Sequence, residues 1–240
     1  MYLTTKDIAC YIFCPRLQQK QRKDILFPPL SMTEVYLRRA FVAAEAAAAL
    51  KDNIVTSRKL LSAWEKLWWP AVANTQLDLK AADAASLKAS YKFTDYCKYD
   101  ISDWMFPTVG ANVNLDMKIG STVIKAHADV VKVDMHQDTP TTVLINFGTQ
   151  DYNHLSAAAD PVIKATAYAF YSGRNETIVH SAVNISDRRD KIKIVTSVFR
   201  PKVMDEIRKM LYYVSRGITA GTYFPNPSAC KDCRVCQNFI

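Results

Sequence analysis

The chain has 240 residues, 49% hydrophobic and 22% charged, which is enough for one sizeable core and too apolar for a disordered chain. Six glycines and ten prolines exclude collagen-like and low-complexity sequences. Lys and Arg number 31 against 23 Asp and Glu, and the net charge of +8 favours a polyanionic partner without choosing among DNA, RNA and an anionic surface.

Thr4 or Thr5 caps a helix predicted to reach about Lys23, with Asp7 in its first turn and a break near Cys14 imposed by Pro15. The opening residues carry an early acid and only a short apolar run, unlike a signal peptide. Phe27-Pro28-Pro29 reads as a linker, and Ser31 with Glu34 makes a capping box for an Ala-rich helix to about Asp52. That helix holds the most apolar helical stretch, Ala40 to Leu50, which Glu45 interrupts and which is too short to span a bilayer. The expectation is a cytoplasmic protein with no membrane partner, in the host cytoplasm if the chain is viral. Leu60, Leu61, Trp64, Leu67 and Trp68 recur at helical spacing between Ser57 and Trp69, and Pro70 is expected to end that helix. Their aromatic stripe is expected in the core rather than as a platform for bases. Asp78 to about Asp103 reads as helical in part.

The period changes near Pro107. Val109–Met117, Thr122–Val133 and Val143–Ile145 read as three strands, followed by a helix over Ser156–Tyr171. Glu176–Ile185 and Lys191–Phe199 are two more strands around the polar turn Ser186–Asp190, and Pro201–Arg216 is a final helix. There is no internal repeat. This order predicts an α/β fold in which an N-terminal helical lobe packs on a mixed sheet flanked by helices, with a cysteine-rich tail.

Two constellations carry chemistry. Cys230, Cys233 and Cys236 follow a Cys-x-x-Cys-x-x-Cys spacing that can wrap one metal centre if a fourth ligand comes from elsewhere. Clustered thiolates suit tetrahedral zinc or an iron–sulfur cluster, and unligated thiols at such density would be prone to oxidation. Cys10 and Cys14 share a helical face near the start, and Cys97 reads as a buried apolar residue. In the second constellation, His127 and Asp129 alternate on one strand, and Asn146 and Gly148 alternate on the next. An acid beside Val130 and Val131 is costly unless it has a partner or a metal, or lies on a solvated face.

These residues resemble the RecB-type PD-(D/E)XK nucleases that carry an iron–sulfur cluster, among them the CRISPR adaptation nuclease of that type, the AddB nuclease domain and phage exonucleases. The resemblance spans nearly the whole chain. Its most specific part is the cysteine bracket, Cys14-Pro15-Arg16 at one end and Cys230, Cys233 and Cys236 after Phe224-Pro225-Asn226-Pro227 at the other. It implies one 4Fe–4S cluster on Cys14, Cys230, Cys233 and Cys236, with zinc as the alternative metal and Cys10 as the alternative first ligand. It implies a PD-(D/E)XK, restriction-endonuclease-like fold as one nuclease-like domain over residues 1–240. Within it, 1–105 form the helical lobe, 106–220 the α/β core and 221–240 a cluster-binding tail closing on the N-terminus.

The catalytic motifs depart from the family. Asp129 matches the acid of the first strand motif without its glycine. Where the next strand should carry an acid, one residue and a lysine, this chain has Asn146-Phe147-Gly148. Lys164 replaces the glutamine of the helix motif, Tyr168 remains, and no His precedes His127. Mg²⁺ or Mn²⁺ would be needed only by a catalytic protein, with Asp129 as the remaining ligand and His127, Asp116, Asp151 or His154 as candidates for a displaced site.

The basic residues Arg188, Arg189, Lys191 and Lys193, with Arg200 and Lys202 beyond and Lys20, Arg22 and Lys23 near the start, can neutralise phosphates without reading sequence, or can form a solvated face. The expected function is a non-catalytic DNA-binding or scaffold subunit of a replication, recombination or transcription assembly, working with other proteins of that assembly. The alternatives are an active metal-dependent DNA exonuclease with a displaced site, and a protein-interaction module that kept only the fold.

Overall fold

The computed structural model describes residues 1–21, 23–51, 54–75, 78–103, 106–134, 139–148, 156–173 and 175–223. The chain opens on a short strand, β1 (Tyr2–Thr4), and turns directly into α1 (Thr5–Phe13). Thr4 caps that helix reciprocally: its hydroxyl accepts from the Asp7 backbone N–H, and Asp7 accepts from the Thr4 backbone N–H at 2.7 Å. Cys14 is extended, which is where Pro15 obliges its predecessor to be, and α2 (Pro15–Gln19) starts after it. A 3-10 turn follows at Lys23–Ile25.

Three helices make the lobe: α3 (Met32–Ala49), α4 (Ser57–Ala73) and α5 (Leu79–Asp103). The Ser31–Glu34 capping box forms as expected. The aromatic stripe of α4 is core, with Trp64 and Trp68 buried and stacked 4.8 Å apart. Two expectations for the lobe need correction. Pro70 does not end α4, which continues to Ala73. A proline this near the C-terminus removes only one helical bond, and the Asn74 side chain caps the Pro70 carbonyl at 2.8 Å. The partly helical stretch after Asp78 is one continuous helix, because its buried face (Ala82, Ala89, Phe93, Tyr96) keeps helical spacing throughout.

The second half is β2 (Thr108–Ile119), β3 (Thr122–Asp134), β4 (Thr141–Gly148), α6 (Ser156–Phe170), β5 (Thr177–Asn184), β6 (Lys193–Phe199) and α7 (Pro201–Thr219). The six strands form one mixed sheet. β2 and β3 are an antiparallel hairpin, β3 pairs antiparallel with β4, β4 runs parallel to β5 across the α6 crossover, and β5 pairs antiparallel with β6. The expected strand, strand, strand, helix, strand order is therefore present. The short β1 has no counterpart in the sequence reading. Three residues give too little alternation to register, and its partner, Val123–Lys125 of β3, lies far along the chain.

Helices cover both faces of the sheet. On one face the lobe packs Phe41, Phe93 and Tyr96 against Phe147, with the Phe41 and Phe147 rings stacked at 4.7 Å. On the other, α1, α6 and α7 cover Ile124, Leu144 and Ile178. The last described residues return to the first helix, where the Tyr11 hydroxyl donates to the Thr222 carbonyl at 2.7 Å and the Tyr11 ring meets Tyr223 edge-on. Gly217 leaves room for this contact, since a Cβ there would run into the Tyr11 hydroxyl. No helix among the described residues is long and apolar enough to cross a membrane.

Candidate functional site

Asp129 sits where β3 parts from β4, and it is 1% exposed. Its carboxylate replaces a ladder partner: the Phe147 backbone N–H of β4 donates to Oδ2 at 2.7 Å. On the other oxygen, Arg38 of α3 places Nε at 2.8 Å and Nη2 at 2.6 Å from Oδ1. Burial pushes the Asp129 carboxyl up, but the hydrogen bonds from His127 and Arg38, the Arg38 charge and the Phe147 N–H together outweigh it and hold the group below the ordinary carboxylate range. The acid is therefore ionised and already served by a cation.

His127 leans on the same pair. Its Nδ1 lies 3.0 Å from Asn114 Oδ1, and its Nε2 lies 2.9 Å from Arg38 Nη2 and 3.0 Å from Asp129 Oδ1. With its proton on Nε2 the ring donates to Asp129; the other tautomer, with the proton on Nδ1, donates to Asn114 and accepts from Arg38. Asn146 is fixed at both ends, its Nδ2 donating to the His127 carbonyl at 3.1 Å and its Oδ1 accepting from His180 Nε2 at 2.9 Å. A carboxylate at this position could not donate to the His127 carbonyl. His180 of β5 is fully enclosed, and burial drives its pKa down to about 4, so it is neutral. Its Nδ1 has no hydrogen-bond partner among the described residues.

These groups wall a cavity of about 280 Å³ that Gly148, Ile163 and Thr166 also line. Lys6 stands at its edge. Burial of the ammonium end, and then Arg38 and Lys23 nearby, push the Lys6 pKa down, although the residue as a whole is exposed. A second cavity of about 580 Å³ runs along α3 past Arg39, Val42 and Ala46, and Leu30, Arg38 and Asp129 border both. Arg38 is thus a shared wall between two clefts.

The expected site residues divide. Asp129, His127, Asn146 and Gly148 line one cavity. Lys164 and Tyr168 do not join them: Lys164 pairs with Asp160 at 2.7 Å along α6, and Tyr168 packs toward α7, where burial raises its pKa. From α6 the cavity takes Ala159, Val162, Ile163 and Thr166 instead. Asp116 is exposed on β2, opposite Lys125 and well along the hairpin from Asp129. Asp151 and His154 lie outside the described residues.

The donor set among the described residues does not suit Mg²⁺ or Mn²⁺. A hard divalent ion needs anionic oxygens, and the one carboxylate that the described residues place here has its oxygens engaged by a guanidinium and an amide N–H. Beside it stands an amide committed to two partners, and Gly148 faces open space. Among the described residues no group of three His, Cys, Asp or Glu is placed to hold a metal ion. Arg38 is the functional residue that the sequence reading missed. It is 91 residues from Asp129 and lay unremarked in an Ala-rich helix.

The basic turn is anchored to the same helix. The Ser31 hydroxyl donates to Asp187 at 2.6 Å, the Asp187 N–H donates to Glu34 at 3.0 Å, and the buried Lys92 ammonium holds the Ile185 and Ser186 carbonyls at 3.0 Å each. Arg188 and Lys191 are exposed there, with Arg189 and Lys193 half-buried. The turn therefore lies at the N-terminus of α3, about two helical turns from Arg38.

Of the proposed cluster ligands, Cys230, Cys233 and Cys236 lie outside the described residues. Cys14 is fully buried beside Cys10, Leu26 and Phe27. Burial, then Asp7, pushes the Cys10 thiol up to about 12, which disfavours the thiolate a metal needs. Tyr223 rests on Tyr11, one helical turn from Cys14.

No family model matches the chain, and no curated protein matches it. Among solved structures it is similar to the crystal structure of SSO0001, with 12% identity over 97% of this chain and 82% of that one and a TM-score of 0.37. It is also similar to LHK-Exo in complex with dAMP, with 11% identity over 78% of this chain and 93% of that one and a TM-score of 0.33. Likenesses this loose carry no conclusion about the site.

Proposed function

We propose that this protein is a non-catalytic, nuclease-like subunit that binds nucleic acid, DNA in the first instance, within a replication, recombination or transcription assembly. One observation carries the proposal: the single buried acid that the described residues place in the site is neutralised from within the chain by Arg38, with an amide and a glycine where a second acid and a lysine would be needed. Phosphoryl transfer requires charge stabilisation at the transferring phosphate, and this constellation offers the ion pair of Asp129 and Arg38 rather than a metal-binding pair of acids. What remains suits binding. Lys6, Arg38 and Arg39 line adjoining clefts, and the basic turn with Arg188 and Lys191 sits at the end of the helix that carries the two arginines. A structural 4Fe–4S cluster on Cys14, Cys230, Cys233 and Cys236 would join the two ends of the chain.

The test uses the intact protein purified anaerobically. Labelled single- and double-stranded DNA with Mg²⁺ or Mn²⁺ should remain uncut, while binding falls steeply from low to physiological salt. Cleavage that disappears in Asp129→Ala would install the displaced-site exonuclease instead, and absent binding at low salt would leave the interaction module. The preparation should be brown. A colourless, zinc-loaded one would replace the iron assignment, and loss of metal in Cys14→Ser but not in Cys10→Ser would fix the first ligand.

A further inference from the structure

A third cavity, of about 360 Å³, opens at the tip of the β2–β3 hairpin against the C-terminal half of α7. It lies seven residues along β3 from Asp129, a distance of about 23 Å at strand spacing, and shares no residue with the clefts above. Gly120, at φ 59°, opens the two-residue turn and brings it beside the Tyr212 ring, to which an added Cβ would come within 3.8 Å. The Arg216 guanidinium lies 5.7 Å from the centroid of that ring, and Tyr213 meets it edge-on. Lys209, Tyr212, Tyr213 and Arg216 are all exposed along this part of α7, while Asp205 and Glu206 lie nearer its N-terminus.

The cavity is also rich in hydroxyls, from Ser121, Thr122, Ser215 and Thr219. The Thr219 hydroxyl is spent on the Ser215 carbonyl at 2.8 Å. Ser215 is different. It is 2% exposed, it lines the cavity, and its Oγ has no hydrogen-bond partner among the described residues. A buried hydroxyl left unsatisfied costs about 1–3 kcal/mol, which a ligand group at this spot would recover.

We propose that this cavity seats one nucleotide of a single-stranded nucleic acid, with the base against Tyr212, the phosphate on Arg216 and the Ser215 hydroxyl bonded to the same unit. A volume of this size is that of a small-ligand pocket. An exposed aromatic ring flanked by cations is the combination that unpaired strands use, since every base has a face to stack and every phosphate a charge to meet. A duplex keeps its bases stacked on each other and cannot present one to the ring. The proposal rests on the nucleic-acid function above, but it places a contact outside the Asp129 clefts and specifies strandedness.

The test is fluorescence anisotropy of a fluorescein-labelled oligothymidylate, and of a labelled hairpin duplex, titrated with the full chain. Tyr212→Ala should weaken oligothymidylate binding about tenfold and Tyr212→Phe should not, because the stacking face is kept. Arg216→Ala should reduce the slope of log affinity against log salt by about 0.7. Ser215→Ala should leave the thermal midpoint of the free protein unchanged or raised, yet weaken the strand severalfold, which a merely structural hydroxyl would not do. Duplex binding should be insensitive to all four changes. If oligothymidylate binding is unchanged in Tyr212→Ala, Arg216→Ala and Ser215→Ala while Arg38→Ala weakens it, the cavity assignment is overturned and the proposed function stands. If the unaltered protein binds neither strand nor duplex, both fall.

Discussion

Two buried acids, Asp129 and Glu45, each have a cation close by, and their surroundings differ. Glu45 of α3 is wholly enclosed; Lys132 of β3 reaches it at 3.3 Å, and the hydroxyls of Tyr96 and Thr108 donate to its two oxygens at 2.7 and 2.6 Å. That network ties α3, α5, β2 and β3 at one point in the lobe's core. Asp129 is just as buried, but the side chain of Arg38 is 35% exposed and borders two clefts. The closed pair can only hold the fold together. The open pair keeps a cation within reach of an incoming anion, so the same kind of interaction serves adhesion in one place and recognition in the other.

The sharpest break of this contrast is Lys132→Met. It strands an enclosed carboxylate and should cost about 3–5 kcal/mol in urea unfolding. Adding Glu45→Gln should recover part of that loss, because the stranded charge is then removed.

Acid comes next, and it acts on the open site. His180 titrates near 4 when folded and near 6.5 when unfolded, so the unfolded chain binds the extra proton first as pH falls. Its contribution to stability is intact above pH 6.5 and is lost between 6.5 and 4, amounting to about 3 kcal/mol. Unfolding free energies measured across that window should slope downward in the unaltered protein and much less in His180→Gln. Asp129 follows at lower pH: its folded pKa is depressed, so its stabilisation is present above the unfolded value and disappears as pH falls through the folded one.

Arg38→Ala should cost less stability than Lys132→Met, about 2 kcal/mol, because water and the Phe147 N–H still serve Asp129. It should lower nucleic-acid affinity as well, an effect Lys132→Met has no route to produce in the protein that still folds. Two changes at the neighbouring strand are smaller. Asn146→Asp should cost about 1–2 kcal/mol, since the new acid faces the His127 carbonyl and Asp129. Gly148→Lys should stay within about 0.5 kcal/mol, since nothing lies within 4 Å of the added Cβ. The double variant should not cut DNA; Mg²⁺-dependent cleavage by it would mean that Arg38 gives way.

The residues that set this contrast were unequally legible in the sequence. Asp129 stood out because an acid between apolar neighbours on a strand needs a partner, and local alternation placed His127 on its face and Asn146 opposite. Capping boxes and the aromatic stripe of α4 were equally local. Arg38, Lys132 as the partner of Glu45, and His180 behind Asn146 were not legible, because each pairing crosses between elements whose packing no local period encodes. Pro70 misled for the opposite reason: a strong local rule yielded to its position near a helix end. The neutralisation of Asp129 by Arg38, which decides how the site is understood, is thus a tertiary fact.

The contact between Tyr11 and Thr222 has a consequence in time. The two residues are 211 apart in the chain, and a ribosome making about 5–20 residues per second needs roughly 10–40 s to cover that interval. β1 cannot pair until β3 exists, and α1 lacks its α7 flank until residues beyond 210 have emerged. For that interval Ile8, fully buried in the finished protein, lacks the α7 side chains of its cluster, while Cys10 and Cys14 already have Leu26 and Phe27 to pack on. α1 is thus enclosed in stages: its Cys10 face packs early on Leu26 and Phe27, and the packing around Ile8 is completed only when α7 arrives.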